Sequence, residues 1–354
     1  MARVKFTSIT EQVAAHLDEE LRRGRWRGTM PGRTQLVEEL GVSGQTVEMA
    51  LQMLVEEGLL AEQGAGRPRL ITLPKESVAP ELRVGVLCFD HADRNRNHIV
   101  DLQSMLEEAG HVVSFAPKTL ISLAMDVKRI ARMVKGSDVD AWVVIAAQRP
   151  VLEWFAEQPQ PAFSLFGRRG QVRIAGAGPD HVPPTRAWVQ RLISLGHRRI
   201  VILNRWKKSG SEPGVNERTA LEEMEKHGLK TGSYNLPDWD PTPEGLRKIL
   251  DELFRLTPPT ALVLDEAFLF HAAKEYLAQN GILAPRDVSL ISIDADATFD
   301  WCEPSVAHIE WDYRPLNRRI VRWADNVSRG KQDVRQTFSK SRFVDGGTVG
   351  PASS

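Results

Sequence analysis

Residues 31–73 constrain the fold of this chain more than any other stretch. A short helix is predicted to end just before Gly41, which suits a tight turn, and Ser43 is a favourable cap for a second helix. Gly58 would close that second helix, and two short apolar runs around residues 64–66 favour a hairpin. The apolar residues of the second helix share one face: Val47, Ala50, Leu51 and Leu54. The pattern predicts a winged helix-turn-helix.

A further helix precedes this pair. Ser8 and Glu11 have the spacing of a capping box, and Gly24 is placed to end the helix. Between them, apolar residues recur at helical spacing: Ile9, Val13, Leu17 and Leu21. We therefore expect one compact domain of residues 1–73. Residues 74–81 contain two prolines and no apolar periodicity, so we interpret them as a linker.

After Leu82 the pattern changes to short apolar runs that alternate with helical segments. The predicted strands are Val84–Phe89, Val112–Phe115, Ala141–Ala146, Ala162–Phe166, Ile200–Leu203, Ala261–Leu264 and Val288–Ile293. The predicted helices are His98–Ala109, Thr185–Leu195, Asn216–His227, Pro243–Arg255, Ala267–Asn280 and Pro315–Ser328. Strands that are apolar on both faces indicate parallel sheets covered by helices, so the fold class is α/β and two doubly wound lobes are expected.

Composition limits the class of protein. Lys plus Arg and Asp plus Glu both number 46, which argues against indiscriminate coating of DNA but permits a local basic face. Cys88 and Cys302 are the only cysteines, which indicates a reducing compartment without a disulfide framework. The N-terminus has no apolar signal core, and no apolar run is long enough to span a membrane. We therefore expect a cytoplasmic protein without a membrane partner.

The N-terminal domain resembles the GntR family of bacterial transcription regulators. The resemblance covers residues 9–73 and rests on Pro31, on the runs Leu36–Ser43, Glu57–Leu60 and Gly64–Arg67, and on the pairs Thr46-Val47 and Ala50-Leu51. It implies that the head binds operator DNA. The chain departs from the family at Gly44 and Glu48, where members often carry arginines that face DNA.

Residues 1–76 hold 10 Lys and Arg against 11 Asp and Glu, a net charge of −1, but the basic residues are clustered. Gln45 is the best placed to read a base edge, while Arg67 and Arg69 in the wing would reach phosphates or the minor groove. The complete set of predicted DNA-binding residues is Arg33, Ser43, Gly44, Gln45, Thr46, Arg67 and Arg69. A surface-charged head that docks on a protein remains an alternative.

Residues 82–348 resemble the effector domain of the LacI/GalR family, which is related to periplasmic sugar-binding proteins. The resemblance rests on the junction at Leu195–Ile200, on the run Pro285–Asp294 and on the closing Phe343-Val344. It implies two lobes with a small-molecule cleft between them. Lobe one would comprise residues 82–183 and 311–330, and lobe two residues 184–310 and 331–348.

Ligands of open α/β sheets sit beyond the carboxyl ends of the strands. That rule selects Asp90 and His91 after the first strand, and Asp265 and Asp294 after two later ones. Trp301 lies in a predicted loop or strand end and could stack on a sugar ring, although any tryptophan can equally belong to a core.

The LacI/GalR resemblance implies further roles. Arg218 takes the position of a ligand-binding arginine, Asp294 that of a carboxylate, Asp265 that of a polar cleft residue and Asp180 that of a cleft aspartate of lobe one. An arginine and a carboxylate in one cleft suit vicinal hydroxyls. Arg218 could instead pair with Glu222 on its helix, and Asp294 could cap a turn.

No enzyme motif stands out. Gly176-Ala177-Gly178 gives only the first half of a dinucleotide fingerprint, because His181 stands where the third glycine would be. There is no P-loop, no nucleophile elbow and no metal-ligand spacing, so we expect no cofactor, no metal and no catalysis.

A DNA-binding head fused to a small-molecule clamp predicts a ligand-responsive transcription regulator. We expect a homodimeric repressor of carbohydrate-metabolism genes, in which a mono- or oligosaccharide closes the lobes and alters operator affinity. The alternative is a cytoplasmic sugar sensor whose head binds a protein.

Overall fold

The computed structural model describes residues 9–22, 25–26, 28–64, 67–72, 80–205 and 213–353. Ser8 of the expected capping box and residues 74–79 of the expected linker lie outside this part of the chain. The α/β class and the winged-helix head are both confirmed. The helices and strands follow in this order: α1 (Ile9–Arg22), α2 (Arg33–Leu40), α3 (Gly44–Glu56), β1 (Leu60–Ala61), β2 (Leu70–Ile71), β3 (Arg83–Leu87), α4 (Asn97–Glu108), β4 (Val112–Phe115), α5 (Val127–Lys135), β5 (Ala141–Ile145), α6 (Arg149–Ala156), β6 (Ala162–Leu165), β7 (Ala175–Pro179), α7 (Val182–Ser194), β8 (Ile200–Leu203), α8 (Val215–Lys226), α9 (Pro243–Leu256), β9 (Ala261–Leu264), α10 (Ala267–Gln279), β10 (Ser289–Ser292), β11 (Ala307–Trp311), α11 (Arg314–Ser328), β12 (Gln336–Ser339) and β13 (Ser341–Val344).

The head is built from α1 to α3 and a small wing. Gly41 ends α2 in a left-handed conformation, with φ of 64°, so the tight turn predicted there is confirmed. In the wing β1 and β2 pair antiparallel, with Leu60 opposite Ile71. The apolar faces of the three helices meet in one core, whose fully buried members include Leu17, Leu21, Leu36, Leu51 and Leu54.

The chain divides into two compact units. The first comprises residues 1–177 and 314–337, and the second residues 178–313 and 338–354. One sheet has six strands in the order β12-β7-β6-β5-β3-β4, and the pairs from β7 to β4 are parallel. The other sheet has five strands in the order β13-β11-β10-β9-β8, with only β13 antiparallel to its neighbour.

Burial explains why these strands pair as parallel ones. Every residue of β5, β6, β8, β9 and β10 is buried, because helices cover both faces. In the second unit α9 and α10 pack on one face, around Leu250 and Phe270, and α7 and α8 pack on the other, around Trp188 and Met224. No helix in the described ranges is both long and apolar enough to cross a bilayer.

Some elements were not predicted. Strand β7 coincides with the glycine-rich segment that resembles half of a nucleotide fingerprint, and Gly176 and Ala177 lie buried within it. A Cβ on Gly176 would approach the Ser164 carbonyl oxygen to 2.9 Å and Arg169 Cδ to 2.8 Å. This glycine therefore serves strand packing rather than phosphate binding.

Candidate functional site

The start of α3 has the geometry expected of a recognition helix. Ser43 caps it, because its Oγ accepts a hydrogen bond from the Thr46 backbone N–H at 3.1 Å. The Ser43 and Thr46 hydroxyls are 2.8 Å apart, so the two polar groups satisfy each other. Gln45 is exposed next to them. Because the Ser43 and Thr46 hydroxyls bond each other, the amide of the exposed Gln45 is the group here best suited to an incoming base edge.

Three of the predicted DNA-binding residues lie together. Arg33, Arg67 and Arg69 line one cleft of about 240 Å³, together with Pro31 and Pro68 from the segments before α2 and β2. The cleft adjoins the N-terminus of α2, where Gly32 occupies the cap position without a capping side chain. Guanidinium groups beside an uncapped helix start suit phosphate oxygens.

Arg69 is less open than its wing position suggested. Its Nη2 lies 2.5 Å from Glu48 Oε1 and 3.8 Å from Glu62 Oε1, and its side chain is only 17% exposed. Glu48 stands on α3 where the GntR resemblance places an arginine. Arg69 of the wing therefore neutralises Glu48 on the recognition helix. This pairing was not predicted from the sequence, because the two residues are 21 positions apart.

Polar residues collect at the carboxyl ends of β8 and β9 in the second unit. Asp265 Oδ2 accepts a hydrogen bond from the Arg205 backbone N–H at 2.7 Å. The Arg205 side chain lies against Glu266, with Nε 3.1 Å from Oε1, and the two side chains are only 10% and 7% exposed. Asn204 donates to Glu217 in the first turn of α8. Two neighbouring strands and one helix start thus bring five polar residues to one edge.

Asp265 is electrostatically unusual within this group. Burial, and then the nearby charge of Glu266, raise the pKa of its carboxyl well above the usual range. Its Oδ1 is buried and has no hydrogen-bond partner among the described residues. A carboxyl group with an unused acceptor at a strand end is equipped to receive a donor such as a hydroxyl.

The next two strands carry the remaining candidates of this edge. Asp294 follows β10, and its Oδ1 accepts from the Ala295 backbone N–H at 3.0 Å and lies 3.4 Å from Trp311 Nε1 at the end of β11. Because β9 and β10 are neighbours in the sheet, Asp265 and Asp294 follow adjacent strands. Trp301 ends a 3-10 turn after β10 and is 90% exposed.

Two other predicted residues lie at helix starts. Arg218 is exposed in the first turn of α8 and donates to the Pro213 carbonyl oxygen at 3.2 Å. Asp180 accepts from the Val182 backbone N–H at 3.1 Å, at the start of α7. The division of the chain puts Asp180 in the second unit, whereas the sequence analysis assigned it to lobe one.

Asp90 and His91 follow β3 in the first unit. Asp90 Oδ1 accepts from the backbone N–H groups of Ala92 and Asp93, so it caps the 3-10 turn at Ala92–Asn95. Asp93 is buried and accepts from the Phe89 backbone N–H at 2.9 Å. Burial, followed by the charge of Asp90, raises the pKa of Asp93. His91 is exposed.

Strained backbone marks the ends of β5 and β6. Ala146 and Phe166 have φ values of 54° and 60°, which side chains rarely adopt. Gly167 has no room for a Cβ, which would lie 2.7 Å from the Ala147 carbonyl oxygen. The Phe166 ring meets the His98 ring edge-on at 5.6 Å. Burial lowers the pKa of His98 to about 4, so its imidazole is neutral at pH 7.

Sequence reasoning selected the loops of both edges but missed several of their residues. Asn204 and Arg205 directly follow a buried strand, which is the signal that could have selected them. Glu266 follows Asp265 directly in the chain, whereas Glu217 comes close to Asp265 only through the position of α8. Such proximity has no signature in the local sequence.

Two family profiles match the chain. Residues 9–66 match the bacterial regulatory proteins of the gntR family, and residues 189–349 match the periplasmic binding protein-like domain. The chain joins a GntR-type head to a periplasmic binding protein-like domain. The match of the GntR-type head does not favour the alternative in which the head binds a protein. Comparison with curated proteins gives no match.

Solved structures of transcription regulators share the fold. A cellobiose complex of the regulator CelR is 16% identical, with a TM-score of 0.60 over 87% of this chain and 91% of that one. A LacI-family regulator from Weissella paramesenteroides with bound sucrose is 14% identical, with a TM-score of 0.61 over 76% and 99%. The repressor ascG of Escherichia coli is 15% identical, with a TM-score of 0.56 over 76% and 99%.

Proposed function

We propose that this protein is a cytoplasmic transcription regulator that binds operator DNA through its GntR-type head and a sugar through its periplasmic binding protein-like domain. The observation that carries the proposal is the cleft beside α3, which gathers Arg33, Arg67 and Arg69. DNA affinity depends largely on phosphate neutralisation. Arg33 and Arg67 supply it next to the exposed recognition helix, while Arg69 neutralises Glu48 on that helix.

The proposal that the ligand is a sugar rests on the polar residues at the carboxyl ends of the strands in the second unit. Asp265 has a buried free acceptor, Asp294 follows the neighbouring strand, and Arg218 supplies a guanidinium at the start of α8. Carboxylates and guanidinium groups pair well with vicinal hydroxyls. Solved proteins of the same fold hold ribose, cellobiose and sucrose, which supports the same chemical class of ligand here.

The proposal extends to assembly and domain bounds. We assign the head to residues 1–73, the linker to 74–81 and the effector domain to 82–348. Two heads of a homodimer would read half-sites of a pseudo-palindrome, about 10 base pairs or a multiple of that apart. The ligand would be bound without turnover, and its binding would relieve repression of carbohydrate-metabolism genes.

DNA binding is tested with the full chain on duplex fragments from upstream of its own gene. We expect a gel shift that weakens steeply as salt rises, because bound phosphates release counterions. A complex that forms only with a protein partner, and with no duplex at any salt concentration, would contradict the proposal and restore the protein-docking alternative.

Ligand binding is tested by thermal unfolding of the full chain against pentoses, hexoses and disaccharides. A bound sugar raises the melting temperature by mass action. The double variant Arg218→Ala, Asp294→Ala should lose the shift, while Arg247→Ala on the exposed surface of α9 keeps it. Equal calorimetric affinity of the double variant and the wild type would contradict our assignment of the sugar site.

A further inference from the structure

The exposed face of α3 is uncharged over most of its length. No lysine or arginine occurs anywhere in the helix. Gln45, Met49 and Gln52 point outwards, and Met49 is 53% exposed. The helix has two carboxylates: Glu48 is already paired with Arg69 from the wing, and Glu56 is exposed at the C-terminal end, away from Gln45 and Met49. The groove-facing part of the helix therefore offers amides and a thioether.

Positive charge lies beside this face rather than on it. A Cβ at Gly44 would touch Arg33 Nε at 3.8 Å and Cδ at 3.9 Å, so the Arg33 side chain lies against the start of α3. Arg67 and Arg69 lie on the wing side of the same cleft. Arginines at the rim and neutral side chains at the centre fit a duplex whose phosphates meet the rim and whose bases meet α3.

The chemistry of the central residues selects particular bases. Guanine is read most often by arginine or lysine, which α3 lacks, whereas a glutamine amide matches the N6 and N7 atoms of adenine. An apolar side chain matches the C5 methyl group of thymine, and the flexible thioether of methionine adapts to such a contact. Gln45 and Met49 are four residues apart, about 6 Å along the helix, which corresponds to about two base-pair steps.

We propose that Met49 is a specificity-determining residue that packs on a thymine methyl group, about two base-pair steps from an adenine read by Gln45. The half-site then carries an A·T core under α3. This inference rests on the proposed function, because it requires that the head binds DNA through α3. It adds the kind of base pair that is read and the side chain that reads it.

The test selects operator sequences from a random duplex library with the full-length wild type. The selected half-site should contain adenine and thymine at two core positions about two steps apart. Replacing the core thymine by deoxyuridine removes only the methyl group and should weaken wild-type binding about fourfold. Deoxyuridine at a flanking thymine is the matched control and should change nothing.

Variants at position 49 test whether the loss of affinity with deoxyuridine depends on the Met49 side chain. Met49→Ala should bind the thymine and the deoxyuridine operators equally, whereas Met49→Leu should keep the discrimination because it retains an apolar contact. A fourfold loss with deoxyuridine that persists in Met49→Ala would overturn the proposal, as would a half-site with guanine at both core positions. Absence of salt-dependent binding to any duplex would instead overturn the proposed function and the inference together.

Discussion

At the scale of single residues, the two wing arginines differ in what they face. Arg69 pairs with Glu48 and is mostly buried, while Arg67 is exposed and has no ion-pair partner among the described residues. A cation that already compensates a carboxylate has little charge left for a phosphate. Arg67 is therefore expected to account for counterion release, whereas Arg69 neutralises Glu48 on α3.

This difference predicts distinct salt dependences. Arg67→Ala should reduce the slope of log affinity against log salt by about 1. Arg69→Ala should leave the slope near that of the wild type but weaken binding, because Glu48 is then uncompensated near phosphates. Adding Glu48→Ala to Arg69→Ala should restore most of the affinity. Gel shifts at several salt concentrations measure all three variants, and an equal loss of slope in Arg69→Ala would disprove the distinction.

Asp265 gives a pH-dependent prediction. Burial first, and then Glu266 and Glu217, raise the pKa of its carboxyl, while Arg205 acts in the opposite direction. The folded protein thus keeps this proton to a higher pH than the unfolded chain, whose carboxyl titrates near 3.9. Below the pKa of the unfolded chain, this group therefore makes its full contribution to the free energy of unfolding. That contribution is lost as the pH rises towards the pKa of the folded protein.

Asp265→Asn removes that titration while keeping an acceptor for the Arg205 backbone N–H. The melting temperature of the variant minus that of the wild type should become more positive from pH 4 to pH 7, because only the wild type loses stability as the pH rises. Asp300→Asn, an exposed carboxylate of the same unit, is the matched control. A difference in melting temperature that stays constant with pH would show that Asp265 ionises normally.

Local chemistry made some residues predictable and left others hidden. Ser43 could be recognised as a cap from its place before an apolar periodic run, since a cap depends on the next three residues. Arg69 could be assigned to the wing but not to Glu48. Its partner depends on how the hairpin packs on α3, and that packing is a tertiary property.

At the scale of elements, the sequence predicted best those strands that are buried on both faces. The residues 200–203 and 261–264 are continuous apolar runs, and β8 and β9 have those bounds. Strand β7 was missed because its residues are Ala, Gly, Ala, Gly and Pro, which carry no apolar pattern. Its position follows from pairing with β6 and from the close approach of Gly176 to Ser164.

The connection from α11 to β12 depends on one buried carboxylate. Asp333 accepts from Arg319 Nη2 at 2.8 Å, from Asn326 Nδ2 at 3.0 Å and from Arg335 Nη2 at 3.2 Å. Burial alone would raise the pKa of Asp333, but the hydrogen bonds from Arg335 and Asn326 and the charge of Arg319 lower it. The carboxylate is therefore charged and held by hydrogen bonds from three residues.

Asp333→Ala should reduce the free energy of unfolding by about 3–5 kcal/mol, because it leaves the buried Arg319 without its counter-charge. Glu310→Ala, which breaks an exposed pair with Arg342, should cost no more than about 1 kcal/mol. Urea unfolding followed by circular dichroism compares the two. Equal effects of the two substitutions would show that the Asp333 cluster does not anchor α11.

At the scale of the whole molecule, one chain combines a GntR-type head with a periplasmic binding protein-like domain. The fold class and both family resemblances could be predicted from patterns spread over many residues. The individual contacts at the sheet edges could not, because residues such as Asn204, Glu217 and Asp265 follow or belong to separate elements. A regulator also needs a coupling free energy between its DNA site and its sugar site. This coupling is reciprocal, so each ligand changes the affinity for the other by the same factor.

Operator affinity of the full-length protein, with and without the sugar identified by thermal shift, tests this coupling most directly. Fluorescence anisotropy on the selected operator at fixed salt should give dissociation constants that differ by about 5- to 150-fold, and operator should change sugar affinity by the same factor. Operator affinities that are identical at zero and at saturating sugar would contradict the account.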